Sequence, residues 1–304
     1  MENSLNELRT LAARTDHGRV ETGIARVAIV RGAIPQHQLA AVYDPMINLI
    51  LHGSKSMTVG ERTLHYDPAT YFVMSVDLPA VGSVHPSTSG EPYLAVALTL
   101  DPATLASLLL DLPPSPRAEA QHTGFSVAGT TPELMDAWVR MLRLLDKPAD
   151  IPALAPVYER EILYRVLQGP LGWMLRDIAT PDTAMARVSA AIGWIRRDFA
   201  QPLRVALLAE KAAMSVSAFH RHFKSVTALS PLQYQKRVRL LQARSLLVAE
   251  GKSVTAAAFD VGYESATQFS REYARAFGLP PMQDTARILS EIRTGGRDET
   301  QAGR

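Results

Sequence analysis

The sequence predicts an α+β chain of two domains: a β-barrel with helices packed on it over residues 1–183, and an all-α domain with two helix-turn-helix motifs over residues 184–304. Three observations predict it. Short runs of β-branched and aromatic residues, each bounded by turn chemistry, fill residues 20–100. A pattern of serine, aromatic, arginine and proline positions recurs at an offset of fifty residues between about 203 and 281. The charge divides where the texture does: residues 1–183 hold 14 Lys and Arg against 20 Asp and Glu, and the remainder holds 18 against 10. A length of 304 residues suits about two domains.

The net charge of +2 therefore conceals an acidic part at −6 and a basic part at +8. Such a step points to an anionic partner for the basic part. An apolar fraction of 47% with 20% charged residues is globular and excludes disorder or coiled coil as the main state. The chain has no cysteine, which removes disulfides, thiolate zinc sites, thiol nucleophiles and thiol redox sensing. No apolar run approaches the ~20 residues a membrane helix needs, and the first eighteen residues lack the apolar stretch of a leader. The expected location is the cytoplasm, with no membrane partner.

In the acidic part, Met46 to Leu51, Thr63 to Tyr66, Tyr71 to Val76 and Tyr93 to Leu100 read as strands. Val59-Gly60-Glu61-Arg62 reads as a hairpin turn and Asp67-Pro68 as another. Strands this short and regular predict a small barrel over about 20–100, with room inside for one small ligand. The period changes near residue 101. Asp101-Pro102 and Thr131-Pro132 are helix starts, and Leu134, Trp138, Met141 and Leu145 share one face of a helix over 132–146. Pro113-Pro114-Ser115-Pro116 breaks the chain. A longer helical stretch over 153–178 breaks near Gly169-Pro170. These apolar stripes suit packing on the barrel or pairing of two copies. Residues 1–20 are a candidate regulatory arm, and Thr180-Pro181-Asp182 is the linker.

In the basic part, Ser215, Phe219, Arg221, Phe223 and Pro231 recur as Ser265, Phe269, Arg271, Tyr273 and Pro281. Each copy has a short apolar helix (Val205 to Ala212; Val254 to Val261), a tight turn (Ala213-Met214; Gly262-Tyr263), then a serine-capped second helix over about 216–226 or 266–276. Aromatics four apart face inward on that second helix, and His220, Arg221, Lys224, Gln268, Arg271 and Arg275 face outward. This is the helix-turn-helix plan, with motifs at about 203–226 and 253–276. A connecting helix over about 232–250, with Leu232, Val238 or Leu241, and Leu246 inward, spans roughly 28 Å, close to the ~34 Å between successive major-groove faces.

Several short runs carry a family resemblance: Leu207-Leu208-Ala209, Met214-Ser215-Val216-Ser217, His220-Arg221-His222-Phe223-Lys224, Ser230-Pro231-Leu232-Gln233-Tyr234, Val261-Gly262-Tyr263 and Gln268-Phe269-Ser270-Arg271. Residues 187–284 resemble the DNA-binding domain of the AraC/XylS transcriptional regulators. The acidic part, through Tyr43-Asp44-Pro45, Ser75-Val76-Asp77-Leu78-Pro79 and Pro92-Tyr93-Leu94-Ala95, resembles the cupin-like sensor domain of one subgroup. The resemblance implies a non-enzymatic regulator of double-stranded promoter DNA that answers a small organic effector. It also implies a homodimer, and contact with RNA polymerase if the protein activates. Ser217, His220, Arg221, Thr267, Gln268 and Arg271 would face bases, with Lys224, Arg237 and Arg275 on phosphates. The chain departs from the family in three places. Ala213 replaces the usual turn glycine, costing roughly 1 kcal/mol if the turn is left-handed. Ala266 opens the second recognition helix. Met282-Gln283-Asp284 replaces a closing aromatic-Arg pair.

For the effector, Tyr43, Asn48, Ser75, His85 and Tyr93 are candidate polar groups in an otherwise apolar interior. His37, His52, His65 and His85 lie in the same region, but no His-x-His occurs in residues 1–183 to converge on a metal. His220 and His222, two apart on a helix, point apart. No metal, cofactor or catalytic residue is expected. The competing reading, a metal-dependent cupin-type enzyme with an appended helical domain, needs a metal or a convergent acid–base set.

Overall fold

A computed structural model of the chain describes residues 1–35, 37–68, 70–113 and 123–301. From Pro114 onward, the break read at 113–116 lies outside the described residues. The first part runs through α1 (Glu2–Ala12), β1 (Gly18–Glu21), β2 (Val27–Arg31), β3 (Ala40–Tyr43), β4 (Met46–His52), β5 (Ser54–Val59), β6 (Arg62–Tyr66), β7 (Thr70–Met74), β8 (Leu78–His85) and β9 (Leu94–Thr99). Then come α2 (Pro102–Leu110), β10 (Phe125–Gly129), α3 (Pro132–Arg143), α4 (Ile151–Gln168) and α5 (Gly172–Ala179). The helical remainder is α6 (Ala184–Arg197), α7 (Val205–Lys211), α8 (Val216–Thr227), α9 (Pro231–Ala249), α10 (Val254–Asp260), α11 (Ala266–Phe277) and α12 (Pro281–Gln301).

The strands form two sheets, ordered β1-β2-β9-β4-β7-β10 and β3-β8-β5-β6. The α+β reading stands, but the sheets do not close into the barrel the sequence predicts. At the edge where β6 passes β7, no ladder forms among the described residues. The rings of Tyr66 and Phe72 stack there instead, centroids 5.0 Å apart, so side chains rather than backbone bonds join the sheets. The result is an open sandwich. Gly53, at φ 74, turns the chain from β4 into β5 and so from one sheet to the other; a Cβ there would lie 2.2 Å from the His85 carbonyl oxygen. Gly60-Glu61 makes the two-residue hairpin turn between Val59 and Arg62.

Register sorts the sheet residues by face. On the larger sheet, Ile29, Ile47, Leu49, Tyr71, Val73, Val96 and Leu98 join one core with Trp138, Met141, Ile162, Leu163 and Met174 of the helices. Burying each such side chain contributes about 1.5–3 kcal/mol. The helix starts fall where the caps predict: Asp101 accepts from the amides of Ala103 and Thr104, and Thr131 from that of Leu134. Leu134, Trp138 and Met141 are buried as their spacing requires. The break near Gly169-Pro170 separates α4 from α5. Residues 2–12, read as a candidate arm, form a docked helix. Leu8, Leu11 and Ala12 are buried, Glu7 is ion-paired to Arg143, and Arg9 donates to the Leu51 carbonyl.

Two compact units emerge: residues 1–192 with 208–230, and residues 193–207 with 231–304. Residues 208–230, which hold most of the first helix-turn-helix motif, therefore group with the sheets, and two backbone approaches among the described residues join them. The Gly124 amide donates to the Val226 carbonyl oxygen at 2.8 Å. Gly60 lies so close to the Ala228 carbonyl that a Cβ would meet its oxygen at 2.7 Å. The second unit has its own core of Leu240, Ala243, Leu247, Ala257, Val261, Phe269 and Tyr273. The connecting helix is present as α9, but Leu232 is 56% exposed rather than inward. Pro231 and Tyr234 take the buried positions at that end, one residue before Leu232 and two after.

Candidate nucleic-acid interface and sheet interior

Each recognition helix begins where serine chemistry dictates. Ser215 accepts from the Ala218 amide and Ser265 from the Gln268 amide. Phe219 and Phe223 on α8, and Phe269 and Tyr273 on α11, are wholly buried and hold each helix by one face. Ser217, His220, Arg221 and Lys224 are left exposed on α8, and Thr267, Gln268, Arg271 and Arg275 on α11. Among the described residues, the Arg221 and Arg271 guanidinium groups make no hydrogen bond or ion pair. Two such cations at matching positions of two motifs can each present a bidentate fork to a guanine.

Not every predicted contact is equally open. Arg237 is half-buried, donates to the Ala276 carbonyl at 3.5 Å and lies 5.9 Å from the Phe277 ring centroid. Burial, then nearby Arg244, lowers its pKa from the ordinary arginine value. Gln268 donates its amide to Glu272 at 3.3 Å, so reading a base requires it to exchange that partner. Burial pushes the Glu272 carboxyl up, but hydrogen bonds from Tyr263, Lys236 and Gln268 outweigh it and hold the group below its ordinary value. Asp284, one of the departures, anchors the far end of the motif. It is fully buried, accepts from the Tyr273 hydroxyl at 2.9 Å, and pairs with Arg244 at 2.9 Å and Arg287 at 2.8 Å.

Ala213 and Ala228 both take left-handed backbone, at φ 51 and φ 58. The turn therefore does adopt the conformation that Ala213 disfavours. The second motif has glycine in both roles, Gly262 at φ 84 and Gly278 at φ 81. At Gly262 no other residue fits, since a Cβ would lie 2.0 Å from the Ala200 carbonyl oxygen.

Between the sheets, register brings a second set of residues together. Tyr43 pairs with Leu78, Lys55 with Tyr66 and with Val84, and Met57 with Gly82, so Tyr43, Lys55, Met57, Tyr66 and Gly82 share the inner face of the smaller sheet. Opposite them, alternation with the helix-facing residues places Ala28, Asn48, Phe72, Tyr93, Ala95 and Ala97 on the inner face of the larger sheet. Three predicted effector residues are thus on facing inner surfaces: Tyr43, whose hydroxyl donates to the Leu39 carbonyl, Asn48, and Tyr93. Asn48 donates to the Val96 carbonyl, and its Oδ1 is buried without a partner.

The other two predictions are corrected. Ser75 is buried, but its hydroxyl is committed to the Gly124 carbonyl and faces the Met185 sulfur, away from this interior. His85 ends β8 as an exposed residue beside Ser83. Sequence reasoning missed Lys55 and Tyr66. The signal was the alternation Lys55-Ser56-Met57-Thr58-Val59, which puts Lys55 in one buried row with two apolar side chains. Burial, and then the Arg19 charge, push the Lys55 ammonium down to about 8. Burial likewise pushes the phenols of Tyr43, Tyr66 and Tyr93 above their ordinary range, keeping them neutral. Among the described residues, no group of three His, Asp or Glu is placed to share a metal ion. No helix among them is long and apolar enough to cross a membrane.

Residues 23–174 match a family described as AraC-type transcriptional regulator N-terminus, and residues 208–287 match a helix-turn-helix domain. The transcriptional activator RhaS of Escherichia fergusonii is 34% identical over 132 residues, which is 43% of this chain and 46% of that protein. RhaS of Citrobacter koseri is 33% identical over the same shares. The chain thus spans about half the length of the curated relatives it matches. Two crystal structures of ToxT from Vibrio cholerae share the fold. One is an apo variant, with a TM-score of 0.56 at 11% identity over 87% of this chain and 98% of that one. The other is the wild type bound to an unsaturated fatty acid, with a TM-score of 0.53 at 12% identity over 85% and 94%.

Proposed function

Because the chain belongs to the AraC-type transcriptional regulators, we propose that it is a sequence-specific DNA-binding regulator, not an enzyme, whose residues 1–183 answer a small organic effector and whose residues 184–304 read promoter DNA in the cytoplasm. The observation that carries this reading is the pair of unpartnered, exposed arginines, Arg221 and Arg271, at matching positions of two serine-capped helices. Ser217, His220, Thr267 and Gln268 flank them at base level, and Lys224 and Arg275 serve phosphates. Arg237, half-buried, is assigned a phosphate through its remaining open edge. The effector lies between the sheets, against Tyr43, Asn48 and Tyr93. Two copies pair through the helices outside the larger sheet, where Val157 of α4 is exposed. RNA polymerase is the further partner if the regulator activates.

The test is a DNA-binding titration of the full chain on its own promoter region at several salt concentrations. Affinity is expected to fall steeply with salt, with a slope set by the phosphates neutralised. Arg221→Ala and Arg271→Ala are each expected to cost about 1–3 kcal/mol in specificity and to relax preference at one base position. A flat salt dependence, or Arg221 and Arg271 variants that keep the full sequence preference, overturns the reading.

A further inference from the structure

Buried ammonium groups are paired in folded proteins because desolvation of an unpaired charge costs several kcal/mol. Lys55 breaks this pattern. It is 8% exposed, and its one polar neighbour among the described residues is the face of the Tyr43 ring, 5.2 Å from Nζ to the centroid. Among the described residues no carboxylate pairs with it, and the charge that acts on it, Arg19, is of the same sign.

Its surroundings are equally unfinished. Tyr66, its direct cross-strand partner, has a buried hydroxyl with no hydrogen bond. Asn48 Oδ1, on the facing sheet, is buried without a donor. The floor between them is cut low: Ala28 pairs with Ala97, Asn48 also pairs with Ala97, and Ala95 follows on the same face. On the facing sheet, Lys55 Cε and the Tyr43 hydroxyl converge over Gly82, within 3.2 and 3.3 Å of where a Cβ would stand. Small side chains and unpaired polar atoms thus lie on facing inner surfaces, with unmet bonding capacity gathered between them.

Resting on the reading that the space between the sheets holds the effector, we propose that the effector is a small organic carboxylate, its anionic group held by Lys55 Nζ and the Tyr66 hydroxyl and its apolar body lying over Ala28, Ala95 and Ala97. The ligand supplies the counter-charge that the fold withholds. The phenols of Tyr43, Tyr66 and Tyr93 stay neutral around it, so no second anion of the protein competes for the ammonium. A hydroxyl or amino substituent on the ligand completes Asn48 Oδ1. Arginine at position 55 would add bulk where lysine and the glycine beneath it are already in contact, which accounts for a slender point charge here.

Calorimetric titration of the full chain at pH 7 with matched pairs tests this: benzoate against benzamide, and hexanoate against hexanamide. The better-fitting acid is expected to bind at least about tenfold tighter than its amide. Lys55→Met is expected to erase that preference while keeping the weak affinity for the amide, with Lys55→Gln as the second variant if Met disturbs packing. Ala97→Phe, which fills the floor, is expected to abolish binding of acid and amide alike, with circular dichroism confirming that each variant is folded. An amide that equals its acid, or a Lys55 variant that keeps the preference, overturns the carboxylate assignment; loss of binding in Ala97→Phe then leaves the site itself standing. Absence of binding by all four probes at millimolar concentration, or binding unaffected by Ala97→Phe, overturns the site and the assignment together.

Discussion

At the scale of single residues, Lys55 carries a measurable cost. Its folded pKa is depressed to about 8 from an ordinary lysine value of 10.5. The folded state therefore binds this proton less well than the unfolded chain, and the group opposes folding wherever it is charged in both. The penalty is full below pH 8 and is relieved as pH rises from about 8 towards 10.5. Lys55→Met is expected to stabilise the ligand-free protein at pH 7 by a few kcal/mol, from about 1.4 kcal/mol per pKa unit, and to lose this advantage near pH 10. Chemical denaturation at the two pH values measures it. The exposed residues proposed to face DNA were legible because they repeat, and the repeat puts Arg221 and Arg271 at matching positions of α8 and α11. Lys55 and Tyr66 were not, because a lysine in a strand reads as solvent-facing until pairing fixes which row it joins. His85 misled for the opposite reason: its chemistry suits a pocket, but it falls at the end of β8, where the sheet no longer covers it.

At the scale of elements, the two helix-turn-helix motifs share one backbone but not one sequence economy. Both need left-handed residues in the turn and at the end of the recognition helix, and the first motif meets both needs with alanine. A left-handed alanine costs roughly 1–2 kcal/mol, partly offset by the greater unfolded-state freedom of glycine. Ala228→Gly and Ala213→Gly are each expected to raise stability by up to about 1 kcal/mol, and hydrogen exchange on α8 would register the gain locally. The second motif depends on Asp284. Removing it strands Arg244 in the interior, so Asp284→Ala is expected to cost about 3–5 kcal/mol by denaturant titration. Helix boundaries and caps were readable because Asp101, Thr131, Ser215 and Ser265 act through bonds within three residues. The openness of the sandwich was not, because it depends on whether β6 and β7 share a ladder, which no local pattern specifies.

At the scale of the whole molecule, the division of charge has a structural counterpart, with one qualification. The first recognition helix packs in the same unit as the sheets, not in the basic unit. It is held there by contacts that leave no room for a side chain at Gly60. Gly60→Ala puts a Cβ 2.7 Å from the Ala228 oxygen and forces that contact open. The expected outcome is a protein that still binds DNA and still binds effector, but whose affinity for DNA, followed by fluorescence anisotropy, no longer changes when effector is added. The β5–β6 hairpin thereby acquires a mechanical meaning. Its base carries Lys55 and Tyr66, and its tip rests against Ala228, the residue that ends α8. Five residues of strand at about 3.3 Å each set roughly 16 Å between the two, a span stiffened on its far side by β8. Such a span has a fixed length. A hairpin two residues longer in each strand would overshoot its seat, and one two residues shorter would never touch it.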